Sequence, residues 1–252
     1  MSKPPFGIIL AGGHSERFGG LEATPKPLVE IGGVPMVLHA AAGLARGGAR
    51  KIIVLTGARH DDIRIGLGLT GDHGTLSTGD ASDIAFELRY SGQNNGTAGR
   101  LLAVRREEFG TAALLAYTDV FADAPLDALL RLRERNSSAL SMLVVNPRAP
   151  WGVAAIHDEL VVGFEEKPLD GSTWINGGIF AVTAELLDQI ASPGEMLEAE
   201  PMQRLIEARK ISALRHSGAW VSVDTPKDVR ALQERPGPCL NLNSFPRIAP
   251  CP

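Results

Sequence analysis

The chain has 252 residues and a mass of 26.7 kDa, with 44% hydrophobic and 21% charged residues and a formal charge of −4 at pH 7. That length suffices for a substantial hydrophobic core, and the slight acidity argues against a broad nucleic-acid-binding surface while allowing local basic pockets. No apolar run reaches the length of a membrane span, and the first apolar stretch is too short for a signal peptide, so a cytoplasmic location is expected. Cys239 and Cys251 are the only cysteines and both fall in the Pro-rich tail, which leaves the core without a disulfide and without a thiolate metal site.

Phe6–Leu10 reads as a first strand that breaks into Ala11-Gly12-Gly13, with Arg17 and then Thr24-Pro25-Lys26-Pro27-Leu28 behind it. Paired glycines at a strand end let the backbone turn sharply and bring N–H groups against an anion, and two cations at fixed offsets neutralise a polyphosphate. The spacing is that of neither a P-loop nor a dinucleotide fingerprint. Lys26 sits between two prolines, which predicts a stiff extended segment aiming its ammonium.

Further along, Pro35–Arg46 has a helix-starting proline, an Ala/Leu interior and a Gly47-Gly48 stop. Apolar β-rich runs recur at Lys51–Leu55, Phe86–Tyr90, Ala112–Ala116 and Ala139–Val145, a rhythm that predicts a parallel-rich sheet covered by helices. Gly66–Ser82, dense in Gly, Thr, Ser and Asp, is expected to be a long surface loop. Leu126–Arg135 is an amphipathic helix whose arginines read as a solvated face.

Beyond Trp151 the pattern changes to closely spaced strands. Trp151–Ile156 and Leu160–Glu165 flank a His157-Asp158-Glu159 turn, as a hairpin would. Trp174–Val182, a helix near Met202–Arg209, strands at Ile211–Arg215 and Trp220–Val223, and a helix from Pro226 follow. From Glu234 to Pro252 periodicity gives way to a tail that is either loose or a subunit contact. The expected organisation is one domain over 1–233, with a nucleotide-binding portion at 1–145, a sugar-binding portion at 146–233 and the tail at 234–252.

Three constellations carry chemistry. In Ala113–Asp119 an apolar strand runs out into an aspartate, and ligands of open α/β sheets lie beyond such strand ends. A hard carboxylate there suits Mg²⁺ beside a polyphosphate, although an aspartate at a strand end also serves as a turn or cap residue. Asp224 supplies a second carboxylate, or else belongs to the N-terminal cap of the last helix. The third is Glu165-Glu166-Lys167-Pro168 followed by Trp174-Ile175-Asn176-Gly177-Gly178. Glycines within a strand admit a ligand close to the backbone and asparagine offers both donor and acceptor to sugar hydroxyls, or the segment is a β-bulge beside a surface lysine. The six histidines show no metal-ligand spacing, and no Gly-x-Ser-x-Gly element supports a serine hydrolase.

From Phe6 to Leu232 these elements together resemble the sugar-1-phosphate nucleotidyltransferases. Leu10-Ala11-Gly12-Gly13 with Arg17, and Thr24-Pro25-Lys26-Pro27-Leu28 running on to Gly32-Gly33-Val34-Pro35, are similar to that family's nucleotide-binding stretch. Within it the likeness is greatest to the glucose-1-phosphate cytidylyltransferases, through Thr97-Ala98-Gly99-Arg100-Leu101, Glu166-Lys167-Pro168, Trp174–Phe180, Glu200-Pro201-Met202 and Val223-Asp224-Thr225. The resemblance implies a Rossmann-like, three-layer α/β nucleotidyltransferase fold with a mixed, mostly parallel sheet and a small C-terminal β-rich sugar-binding portion. It implies a nucleotide held by Leu10, Ala11, Gly12, Gly13, Arg17, Lys26, Gly99, Arg100 and Thr118, and catalysis by Arg17, Lys26 and Lys167. Glu166, Lys167, Asn176 and Gly177 would meet the sugar phosphate, Asp119 and Asp224 would hold Mg²⁺, and the expected partners are a nucleoside triphosphate, a sugar 1-phosphate and further copies of the chain. Ser15-Glu16 stands where the family has Gly-Thr, and Thr118-Asp119-Val120 where it has Gly-Asp-Gly. The added bulk keeps open a guanylyl- or uridylyltransferase for a heptose- or octose-type phosphate, and a non-catalytic sugar-nucleotide binder is a separate alternative.

Overall fold

The computed structural model describes residues 5–13, 18, 24–78, 83–149, 151–169, 171, 173–234, 240 and 247–250. In chain order the elements begin with β1 (Phe6–Ala11), β2 (Glu30–Ile31), β3 (Val34–Pro35), α1 (Met36–Arg46), β4 (Lys51–Thr56), α2 (His60–Gly66), β5 (His73–Ser77) and β6 (Ile84–Tyr90). Next come β7 (Ala113–Tyr117), β8 (Val120–Ala122), α3 (Leu126–Arg135), β9 (Leu140–Val145), β10 (Val153–His157), β11 (Leu160–Glu165) and β12 (Ile175–Val182). The chain closes with α4 (Glu200–Glu207), β13 (Ile211–His216), β14 (Trp220–Ser222), α5 (Pro226–Glu234) and β15 (Arg247–Pro250).

Nine strands form one sheet in the order β13-β9-β12-β7-β1-β4-β6-β5-β15. Seven run in one direction, and only β12 and β5 oppose them, so the sheet is mixed and mostly parallel as expected. The apolar runs are buried on both faces because alternate side chains serve different layers. Ile9 and Ala11 of β1 join the cluster covered by α1, α2, α3 and α5, whereas Ile8 and Leu10 join the cluster covered by α4 and the short 3₁₀ segments. The result is the three-layer architecture that the alternation of strands and helices requires.

Two expectations need correction. Gly66–Ser82 is not simply a loop: α2 ends at Gly66, and His73–Ser77 is a strand paired antiparallel with β6. Leu76 is its one fully buried apolar side chain, which is why no apolar alternation announced it. The tail is not wholly loose either, because Arg247–Pro250 pairs with the other edge of β5; Cys239 and Cys251 lie outside the described residues. The hairpin is present, with β10 and β11 paired antiparallel about Asp158-Glu159, and it forms a two-stranded sheet of its own.

Candidate active site

The carboxyl ends of β1, β4, β6 and β7 open on one side of the sheet. A cleft of about 910 Å³ lies there, within the range of ordinary ligand pockets. Of the expected nucleotide residues, Leu10, Ala11, Gly12, Gly13, Lys26, Arg100 and Thr118 line it, and so do both expected metal ligands, Asp119 and Asp224. Gly99 sits behind the wall, where a Cβ would fall 1.8 Å from the Pro193 carbonyl oxygen. Arg17 lies outside the described residues.

Lys26 does not occupy an extended segment. Pro25 is extended at ψ 134°, but Lys26–Leu28 closes a 3₁₀ turn in which Leu28 N–H donates to Pro25 O at 2.8 Å. Pro27 is compatible because a proline in the first turn removes no needed donor. The turn carries the Lys26 ammonium to both carboxylates: it is hydrogen-bonded to Asp119 and lies 3.7 Å from Asp224. The Phe18 ring also lies beside it, with its centroid 5.4 Å away.

The two carboxylates come together through a strand pairing. Ser222 pairs with Val120, and Val223 N–H donates to Asp119 O at 2.9 Å. The last helix caps itself with other residues. The Asp228 carboxylate accepts from Thr225 N–H at 2.7 Å and from Asp224 N–H at 3.1 Å, while Thr225 Oγ1 accepts from Asp228 N–H at 3.4 Å. This reciprocal cap relieves Asp224 of that duty, and its side chain instead accepts from Ser222 Oγ at 2.8 Å at the rim of the cleft.

Two hard carboxylates sharing one cation suit Mg²⁺, which takes one or two carboxylates and fills its remaining positions with water and substrate phosphate. No cluster of three or more His, Cys, Asp or Glu able to hold a metal occurs among the described residues. Asp119 and Asp224 alone would not complete a Mg²⁺ site, and their donor set fits the ion only with phosphate oxygens and water added.

Arg100 fixes the floor. Its guanidinium donates to Gly12 O (2.8 Å), Gly92 O (2.8 Å), Thr56 O (3.2 Å) and Ser91 Oγ (3.2 Å), tying the ends of β1, β4 and β6 together. Burial pulls its pKa below the usual guanidinium value, and the four acceptors hold the charge in place. A Cβ on Gly12 would lie 2.0 Å from the Arg100 Cζ, so the absence of a side chain there serves this arginine as directly as any phosphate. Thr118 is similarly committed, donating from Oγ1 to Leu10 O at 2.6 Å.

The sequence did not point to the opposite wall. Glu198 accepts from the Tyr117 phenol and from Thr97 Oγ1 at 2.9 Å, joining β7 to the loop before the Gly99–Ala103 turn. Burial and this carboxylate push the Tyr117 phenol far above its ordinary pKa, so it stays protonated and donates. Asn94, Asn95 and Met196 complete that side. Asn176 bears on the same phenol, lowering its pKa against the larger opposing effects, and its Oδ1 accepts from Gly178 N–H at 2.8 Å within a β-bulge. Gly178 takes φ 71°, and Trp220 Nε1–H holds Gly177 O at 3.0 Å. Asn176 therefore reaches the cleft through Tyr117. Glu166 and Lys167 are exposed at the base of the hairpin and are not among the residues lining the cleft, with Lys167 in the left-handed region at φ 50°.

A mostly parallel sheet with a cation and paired carboxylates in a cleft at its carboxyl ends defines an α/β protein of the kind whose ligands lie at the strand ends. The Nucleotidyl transferase family model matches residues 6–234, and the chain belongs to that family. It is 27% identical over 235 residues to the probable glucose-1-phosphate cytidylyltransferase of Bacillus subtilis (strain 168), covering 88% of this chain and 92% of that one. It is 28% identical over 252 residues to the mannose-1-phosphate guanylyltransferase catalytic subunit beta of Drosophila melanogaster, covering 94% of this chain and 63% of that longer one. The fold matches the crystal structure of HddC from Yersinia pseudotuberculosis with a TM-score of 0.68 at 17% identity, over 92% of this chain and 99% of that one. The resemblance read from the sequence holds at the level of the family, and relatives named for two different bases are equally similar.

Proposed function

We propose that the protein joins a sugar 1-phosphate to a nucleoside triphosphate, with CTP and a glucose 1-phosphate-like sugar favoured, giving a nucleoside-diphosphate sugar and pyrophosphate. The observation that carries this reading is the convergence of Lys26, Asp119 and Asp224 at the mouth of the glycine turn. An oxygen of the sugar phosphate attacks the α-phosphorus in line as the bond to the bridging oxygen of the β-phosphate breaks, and that oxygen leaves with pyrophosphate. The attacking phosphate is already ionised near neutral pH, so the reaction asks for positioning and charge neutralisation rather than a general base.

In this reading the Gly12-Gly13 turn and Lys26 meet the triphosphate, with Arg17 as a second cation. Arg100 keeps the turn in shape, and Asp119 and Asp224 hold Mg²⁺, which when bound neutralises phosphate charge. Lys167 approaches the sugar phosphate from the hairpin base, with Glu166, Asn176 and Gly177 on the sugar side. A second reading, guanylyl transfer to another sugar phosphate, rests on the guanylyltransferase relative and on the bulk of Thr118 and Val120 beside Asp119. Pyrophosphate release with each of four nucleoside triphosphates and a panel of sugar 1-phosphates separates the two. Preference for CTP with glucose 1-phosphate supports the first, preference for GTP transfers support to the second, and no release with any pair removes both.

A further inference from the structure

Glu198 stands in the wall of the cleft with its carboxylate exposed, and among the described ion pairs it has no cationic partner. Two neutral hydroxyls hold it instead, the Tyr117 phenol on Oε1 and Thr97 Oγ1 on Oε2 at 2.9 Å. Both donors are themselves fixed. The Tyr117 ring meets Phe180 edge-on at 5.6 Å, and Thr97 Oγ1 accepts from Leu197 N–H at 2.7 Å, which leaves its own proton for the carboxylate. The loop that carries Glu198 has other anchors: Gly96 N–H donates to Pro193 O at 2.9 Å, Ala98 N–H donates to Glu195 O at 3.2 Å, and Leu197 is fully buried. A carboxylate has about four acceptor positions, so two hydroxyls leave about two for whatever enters the cleft.

We infer that Glu198 is a specificity-determining residue that accepts hydrogen bonds from two neighbouring hydroxyls of a sugar ring. The inference rests on the transfer reaction proposed above, whose substrates offer this chemistry twice, in the ribose of the nucleotide and in the ring of the sugar 1-phosphate. A carboxylate close to a polyphosphate is repelled, so in a cleft where Lys26 serves the phosphates Glu198 belongs to the uncharged part of the ligand. Neighbouring ring hydroxyls present one donor to each carboxylate oxygen, which the single nitrogen of a nucleobase amino group does not. Because Tyr117 and Thr97 fix the carboxylate before substrate arrives, little side-chain freedom is lost on binding. The bonds formed are charge-assisted, and a substrate lacking one hydroxyl leaves an acceptor of the site without its donor.

The test compares pyrophosphate release with CTP and GTP against their 2′- and 3′-deoxy counterparts, and with glucose 1-phosphate and mannose 1-phosphate against their 2-, 3- and 4-deoxy counterparts. The wild-type chain is expected to favour the parent compounds of one set, nucleotide or sugar phosphate, by about 10–100-fold in kcat/KM. In Glu198→Ala that preference is expected to fall below about threefold, and the set in which it falls identifies the ring that Glu198 meets. Glu198→Gln keeps the shape of the side chain, and should neither variant fold, the wild-type ratios decide. A wild-type chain indifferent to every hydroxyl overturns the inference, as does a folded variant that lowers kcat/KM by the same factor for parent and deoxy compounds, the mark of a purely structural role. Calorimetric titration with the same compounds needs no turnover. Binding without pyrophosphate release removes the transfer reaction alone and leaves the same ratios, read as affinities, to decide the role of Glu198; no binding of any compound removes both.

Discussion

Gly12 and Arg100 show how one residue's identity is set by another 88 positions away. A Cβ at position 12 would displace a guanidinium that holds two backbone carbonyls with no other donor among the described contacts, Gly12 O and Gly92 O. Gly12→Ala should therefore cost about 2–4 kcal/mol through lost buried hydrogen bonds to a charged group. The same substitution should cost at least about 1 kcal/mol less in an Arg100→Ala background, where the clash is gone. Urea unfolding of the four proteins measures this coupling, and additive costs would mean that Gly12 is required for another reason. Lys26→Gln and Asp119→Asn belong to the opposite class. Both side chains are partly exposed and stand at the cleft rather than in the core, so each variant should melt within a few degrees of wild type. Each should lower pyrophosphate release about 10²–10³-fold, the usual effect of removing one charge-stabilising group. Near-normal release would take that residue out of the reaction.

Helix α1 carries a pH sensor of its stability. His39 is buried in it, its Nε2–H donates to Ile31 O at 2.9 Å, and its ring meets Phe121 edge-on at 5.9 Å. Burial outweighs the carbonyl and lowers the His39 pKa from 6.5, so the folded protein keeps the ring neutral. Below about pH 6.5 the unfolded chain takes up a proton that the folded chain refuses, so stability falls with pH until the folded value is reached. In His39→Gln that part of the slope should vanish below about pH 6.5, read as the difference in denaturant midpoint from wild type at each pH. Carboxylates contribute lower down. Glu195, held at about 2 by the Arg204 guanidinium, gives stability above the ordinary carboxylate value that is lost as pH falls toward 2. An unchanged slope in the variant would assign the effect elsewhere.

Which elements could be read from the sequence follows from where their pairing energy lies. Leu126–Arg135 was placed to the residue because its amphipathic period is a local property. The place of Asp119 at the cleft was legible because a buried strand running into an aspartate is local too, and the strand-end rule supplies its surroundings. Glu198 was not, since its partners Tyr117 and Thr97 are 81 and 101 residues away and only the folded sheet brings them near. The Asn176-Gly177-Gly178 segment was recognised as unusual, but whether it served a ligand or a bulge turned on Tyr117 and Trp220, which local spacing does not reveal.

Strand β5 is the extreme case, and it sets a prediction about the molecule as a whole. It runs antiparallel between β6 and β15, with Gly74 packed so closely that a Cβ would lie 2.7 Å from Ala249 O. Its own sequence carries little strand signal, so its order comes from two neighbours, one of them near the end of the chain. Deleting 247–252 removes one of those ladders and opens a new sheet edge. The amides of His73–Ser77 that face β15 should then exchange faster with solvent deuterium, while those of β1, β4 and β7 at the centre should be unaffected, since local opening follows local contact density. The cleft lies at the ends of central strands and Lys26, Asp119 and Asp224 make no contact with β15 in the described interactions. Pyrophosphate release per mole should accordingly stay within about twofold of wild type. Faster exchange spreading into β1 and β7 would show instead that the edge of the sheet and its centre unfold as one unit.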